Sequence, residues 1–210
     1  GFAQSPSSGS IGGLTFTRVV APFPLADATG RAFGLPFLGG FDVPRPQFVD
    51  IDADGDLDLF VQEYSNTLAF FENTGTAAGP AYAWRSDKYQ NLDVGEWYRF
   101  IDLDADGRVD LVSEEPFSHV RFYRNTGSRT QAAFESAGQL LDADGQPVFF
   151  DRQNIPAFVD LDCDKRIDLF VGRVDGTVAR LEAEQPGSVK FGLIEERFEG
   201  IEIVARIGFG

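Results

Sequence analysis

The sequence has no methionine, one histidine (His119) and one cysteine (Cys163) in 210 residues. A single cysteine excludes an internal disulfide and any cysteine-rich zinc site. Hydrolytic triads need a histidine partner, and His119 falls between Pro116 and an apolar strand pattern, where a surface-loop position is the better reading. Cys163 has acidic neighbours that raise a thiol pKa, so it reads as a poor nucleophile. Neither a Gly-x-Ser-x-Gly elbow nor a phosphate loop nor a dinucleotide fingerprint occurs. The expectation is a chain that is not an enzyme. No run approaches the ~18 apolar residues of a membrane span, so the sequence reads as soluble. Positive charge is also scarce: 18 Lys and Arg stand against 33 Asp and Glu, a formal charge of −15. That balance argues against nucleic acid and against anionic membranes as partners. No signal-peptide pattern opens the chain. Residues 1–12 are small, polar and Gly/Ser/Pro-rich, and are expected to form a flexible leader.

What is abundant is phenylalanine (21) and glycine (23), a composition that suits short strands joined by tight turns. The acidity is concentrated. The stretch FVDIDADGDLDLFV (48–61) recurs as FIDLDADGRVDLVS (100–113) and FVDLDCDKRIDLFV (158–171), and these loops account for about −10 of the net charge. Residues two apart in an extended chain point the same way, so the aspartates at positions one, three and five of each loop converge. Carboxylates crowded together need a cation, and an all-oxygen, high-charge set suits calcium better than magnesium or zinc. Asp50, Asp52, Asp54 and Asp58 are the expected side-chain ligands of the first loop, with the carbonyl of Asp56 as a fifth oxygen and the Asp56 carboxylate pointing outward. The second loop supplies Asp102, Asp104, Asp106 and Asp110 with the Arg108 carbonyl; the third supplies Asp160, Asp162, Asp164 and Asp168 with the Arg166 carbonyl. Gly55 and Gly107 permit the positive-φ turn round the ion. Lys165 replaces that glycine in the third loop, and with Arg166 it adds positive charge, so two Ca2+ sites and a weaker third are expected. An EF-hand is rejected, because position nine is Asp and strands, not helices, flank the loop.

The first aspartates of the loops, Asp50, Asp102 and Asp160, are spaced by 52 and 58 residues. Each loop lies between two strand patterns. A third strand follows (68–72, 120–124, 178–182), then in two copies Asn-Thr-Gly (73–75, 125–127), then a short aromatic strand. Four strands per ~50-residue unit is the pattern of a β-propeller blade. The expected fold is therefore all-β, with four-stranded antiparallel blades over about 46–86, 98–136 and 156–193, and partial elements at 14–45 and 194–210. Turns are expected at Ala26–Gly30 and Asp142–Gly145, the latter as a hairpin tip and not a metal loop. Trp84, Tyr89, Trp97 and Tyr98 cluster near one connector; packing is the better reading, a sugar platform the alternative.

The loops DIDADGDLD, DLDADGRVD and DLDCDKRID, with their FVD, DLFV and Asn-Thr-Gly surroundings, resemble the calcium loops and blades of FG-GAP/VCBS-repeat propellers. That family includes the integrin α-chain head and many bacterial surface and secreted proteins. The resemblance covers about residues 14–210 and implies a propeller region over 13–210. Closed propellers have ~4–8 blades, so the three blades and the orphan strand at Leu14–Thr17 imply either a piece of a larger propeller, the favoured reading, or completion by neighbouring copies through open edges. By the same resemblance the protein is a non-catalytic, extracellular, cell-surface or periplasmic module for recognition, adhesion or assembly of a protein or carbohydrate ligand, with structural calcium. Two alternatives are the propeller part of a secreted carbohydrate-active enzyme, such as a polysaccharide lyase, and a self-assembling filament or array subunit.

Overall fold

The computed structural model describes residues 8–41, 43–63, 67–115, 118–150 and 154–203. The chain divides into two compact units, Gly1–Val94 and Gly95–Gly210. Among the described residues, no helix is long and apolar enough to cross a membrane.

The first unit opens with two hairpins. Strand β1 (Ser8–Ile11) pairs antiparallel with β2 (Leu14–Thr17), and β3 (Leu25–Ala26) with β4 (Ala32–Phe33). Residues 8–11 thus correct the expectation of a flexible leader reaching residue 12, because Gly12 and Gly13 both take positive φ and fold them back on β2. Residues 1–7 lie outside the described residues. The orphan strand at Leu14–Thr17, expected to be a blade's fourth strand, is instead half of this small hairpin. At the next turn the Asp27 carboxylate accepts the N–H groups of Thr29 and Arg31, the local side-chain bonding that makes aspartate a turn former.

A blade follows: β5 (Arg45–Val49), β6 (Asp58–Gln62), β7 (Ala69–Asn73) and β8 (Tyr82–Ser86), in that spatial order and antiparallel throughout. Pro46 sits in the edge strand, where its missing N–H costs no ladder bond. The central strands are apolar on both faces because both faces are covered. Phe60 and Phe70 stack at 4.7 Å, and Tyr89 meets each edge-on at 5.0 Å.

The second unit holds two blades. Strands β9 (Tyr98–Ile101), β10 (Asp110–Glu115), β11 (His119–Asn125) and β12 (Phe134–Gln139) form a four-stranded meander. Strand β13 (Leu141–Asp142) then leads to β14 (Ala157–Val159), β15 (Asp168–Gly172), β16 (Val178–Ala183) and β17 (Lys190–Glu195). That last sheet has five strands, not the expected four, because β13 pairs in parallel with the outer edge of β17. The connector leaving one blade therefore laces on to the next. The Asp142–Gly145 segment is a hairpin tip, as expected: the Asp142 carboxylate accepts from Asp144 and Gln146. Trp97, Leu103, Val112, Phe122, Leu140, Phe150, Leu169 and Phe191 belong to one core drawn from both blades. Tyr89, Trp97 and Tyr98 are buried, so packing accounts for three of the four clustered aromatics; Trp84 is half-buried.

All three blades repeat a register shift between their third and fourth strands. Such bulges raise the local twist. Two blades also end in a 3-10 turn, Tyr89–Asn91 and Phe198–Gly200, whose second residue is left-handed (Gln90 φ 48, Glu199 φ 50).

The glycine of Asn-Thr-Gly is held by space. A Cβ at Gly127 would overlap the Gln131 carbonyl oxygen and lie 2.7 Å from the Ala133 nitrogen, whereas one at Gly192 meets nothing within 4 Å. Gly127→Ala is expected to lower stability by about 1–3 kcal/mol, and Gly192→Ala to change it by less than about 0.5 kcal/mol; thermal melts of the two variants check this.

Candidate metal centres

Each acidic loop joins the first and second strands of a blade. The first carboxylate folds it: Asp50 accepts the N–H groups of Asp54 and Gly55 at 3.1 and 3.2 Å. Asp102 does the same with Asp106 and Gly107 (3.1 and 2.9 Å), and Asp160 with Asp164 and Lys165 (3.1 and 3.0 Å). To present those N–H groups the chain turns left-handed twice. Position six does so as expected, at Gly55, Gly107 and the strained Lys165 (φ 93, 83 and 71). Position four does so as well, at Ala53, Ala105 and Cys163 (φ 56, 58 and 62). Alanine and cysteine give no sequence signal for that conformation.

The ninth aspartate opens the second strand on a covered face. Asp58 is 2% exposed, and Asp110 and Asp168 are fully buried. Asp58 accepts the N–H of Asn73 at 2.7 Å, and Asp110 that of Asn125 at 2.8 Å. Those asparagines use their side-chain oxygens to accept the N–H groups of Gly75 and Ala81, and of Gly127 and Ala133. Asn-Thr-Gly, expected only as a turn, thus ties the third strand's end to the acidic loop. In the second unit, the Gln185–Ser188 turn also backs on to the second loop: a side chain at Gly187 would overlap the Asp104 carbonyl oxygen.

Among the described residues, the carboxylates come together in threes, not the expected fours. Asp50, Asp52 and Asp54 place oxygens within 4.8 Å of one another, as do Asp102, Asp104 and Asp110, and Asp160, Asp162 and Asp168. Asp58 and Asp106 fall outside these sets, and Asp164 groups instead with Asp162 and Glu182. Glu182 was missed by sequence reasoning; it reaches the loop only because β15 and β16 pair Asp168 with Glu182. Asp56 also departs from expectation, since its carboxylate is buried against Asn73 and does not point outward.

In the first loop, Asp52 Oδ1, Asp56 Oδ1 and Asp58 Oδ2 are buried with no hydrogen-bond partner. Burial first, then the neighbouring Asp52 and Asp54 charges, pushes Asp58 up to about 7 against the bonding of the Asn73 N–H. Burial likewise pushes Asp110 up to about 6. Unpartnered buried carboxylate oxygens facing like charges fit a cation, so the first loop passes the test of donor chemistry. The second has the same folded loop and a buried ninth aspartate. Its arginines engage two of the carboxylates: Arg124 Nε lies 2.8 Å from Asp104, a member of the triple, and Arg108 donates to Asp106 and, at 3.0 Å, to the Asn125 carbonyl.

The third loop differs. The Arg180 guanidinium donates to Asp168 at 2.6 Å and to Asp162 and Glu182 at 2.9 Å each, while Arg166 bonds Asp164 and Glu182. Those contacts raise the Arg180 pKa still further, Asp168 contributing most. The third set does not fit a metal in the way the first does, since its cation is already a side chain.

Antiparallel blades, each with an acidic loop between its first two strands, define a blade-repeat protein. Residues 50–113 and 102–171 match the FG-GAP-like repeat, and the chain belongs to that family. No curated protein matches the chain.

In buffer without divalent ions the first unit should lose stability as pH rises. Asp58 has a folded pKa above its unfolded value, so its contribution is complete below about pH 4 and is lost on rising through about pH 7. Melts of ion-free protein at pH 5 and pH 8 should show the higher midpoint at pH 5, with Asp58→Asn shrinking the difference.

Proposed function

We propose that the first two loops bind calcium and that the chain is a non-catalytic blade module working outside the cytoplasm in recognition, adhesion or assembly. The observation that carries the calcium reading is the first loop's set of buried, unpartnered oxygens on Asp52, Asp56 and Asp58 beside the Asp50–Asp52–Asp54 triple. A hard, oxygen-only donor set of this charge suits calcium. Asp50, Asp52, Asp54 and Asp58 would hold the ion in the first loop, and Asp102, Asp104, Asp106 and Asp110 in the second, with the carbonyls of Asp56 and Arg108 available as further donors. The ion's contribution is structural. It cancels like charge at a strand junction that the Asn73 and Asn125 turns also brace.

The assembly branch draws support from the last blade. Leu193, Ile194, Ile201 and Ile203 are 44–73% exposed there. Exposed apolar side chains of this size suit a partner protein or another blade of the same build. Extracellular or periplasmic placement accords with calcium sites of modest affinity, because calcium is plentiful there.

Calorimetric titration and paired melts in calcium and in EDTA test the reading. Calcium at 100 times its dissociation constant should add about 2.7 kcal/mol per site, and Asp50→Asn should remove one site. Absence of binding heat together with identical melts would sink it.

A further inference from the structure

The three loops share a sequence pattern but not a setting, and the third blade departs from the others at three linked places. Lys165 stands where Gly55 and Gly107 stand. Ala183 stands where Asn73 and Asn125 stand, and its N–H goes to the Ile167 carbonyl at 2.9 Å. The ninth aspartate therefore loses the backbone donor that its counterparts use, and its Oδ1 is free to take another. Arg180 stands where Phe70 and Phe122 stand: strand pairing sets Phe170 opposite Arg180, Phe60 opposite Phe70 and Val112 opposite Phe122. In the first two blades that residue is a buried ring. In the third it is a guanidinium whose side chain is only 16% exposed, donating to Asp168 Oδ1 and bridging Asp162 and Glu182.

We infer that Arg180 is a resident cation that replaces the metal of the third blade, which makes that loop independent of calcium. The guanidinium offers fixed donors in a planar fork, the geometry that carboxylate pairs accept best. Glu182 is common to the third and the first blade, where Glu72 stands in the same place, and here it serves the arginines as a partner. The departure at Ala183 fits as well, since an asparagine-bound Asp168 would have one fewer oxygen for Arg180. Lys165 has the same bearing: with no ion to wrap, the loop tolerates a residue that pays a small strain in the left-handed region and adds positive charge.

This inference rests on the calcium reading for the first loop, and counting sites separates the two. Equilibrium titration of the whole chain with calcium alone is compared for wild type, Asp50→Asn, Asp162→Asn and Arg180→Gln. Asp50→Asn should lower the count by one, whereas Asp162→Asn should leave it unchanged. Arg180→Gln should add one site, and its melting point should fall in EDTA and recover in calcium. A lower count in Asp162→Asn, or an Arg180→Gln protein that folds but gains neither a site nor calcium rescue, overturns the inference alone. A wild type that binds no calcium overturns the reading beneath it as well. If Arg180→Gln folds only in calcium, the inference is supported; if it folds in neither condition, the Asp162→Asn count decides.

Discussion

A carboxylate buried at the first residue of a blade's second strand is the constraint on which the rest depends. Asp58, Asp110 and Asp168 each sit there with almost no exposure, because the strand that follows is covered on both faces and its first residue faces inward. Burial of an ionised group needs donors and opposite charge. The chain supplies the donors from its backbone: an asparagine N–H from the third strand in two blades, and the N–H of Leu103 or Leu161 from the loop in the second and third. The opposite charge has to come from elsewhere. In the first two blades the need for a donor ties the acidic loop and the strand junction to an Asn-Thr-Gly turn.

One loop geometry then serves three electrostatic settings. In all three, the first aspartate folds the chain through two N–H bonds and two left-handed residues, so the turn is an internal device of the loop. What varies is the residue that the third strand brings opposite. The first blade brings Phe70 and Glu72 and leaves buried oxygens without partners; the second brings Phe122 and Arg124; the third brings Arg180 and Glu182. A repeat can keep its turn and change its counter-charge by altering two positions of its third strand, that of Phe70, Phe122 and Arg180 and that of Glu72, Arg124 and Glu182.

Blade cohesion in the second unit is less modular than the repeat suggests. The core there is continuous across both blades, and β13 leaves one blade to pair in parallel with the last strand of the next. Connector residues Leu140, Val148 and Phe150 are part of that core. Loosening one of these blades therefore exposes apolar surface of its neighbour, and the penalty is shared.

Much of this was legible in the chain because it is local. The alternation of aspartates with apolar residues, the glycines at position six and the recurrence at blade spacing follow from backbone periodicity, and they yield the three loops, the strands around them and the family. The left-handed Ala53, Ala105 and Cys163 were not legible, since nothing in those side chains favours that conformation. Nor was the hairpin at Ser8–Thr17, where polar residues pair only because two glycines reverse the chain. Partners set by strand register were beyond reach: Glu182 and Arg180 lie 14 and 12 residues past Asp168, and only the pairing of β15 with β16 decides that they meet the loop. Sequence by itself determined which three loops gather carboxylates, because the aspartates recur there at fixed short spacing, whereas the left-handed turns and strand pairing select which of them meet. Tertiary structure decided which charge answers them, because that charge arrives from another strand.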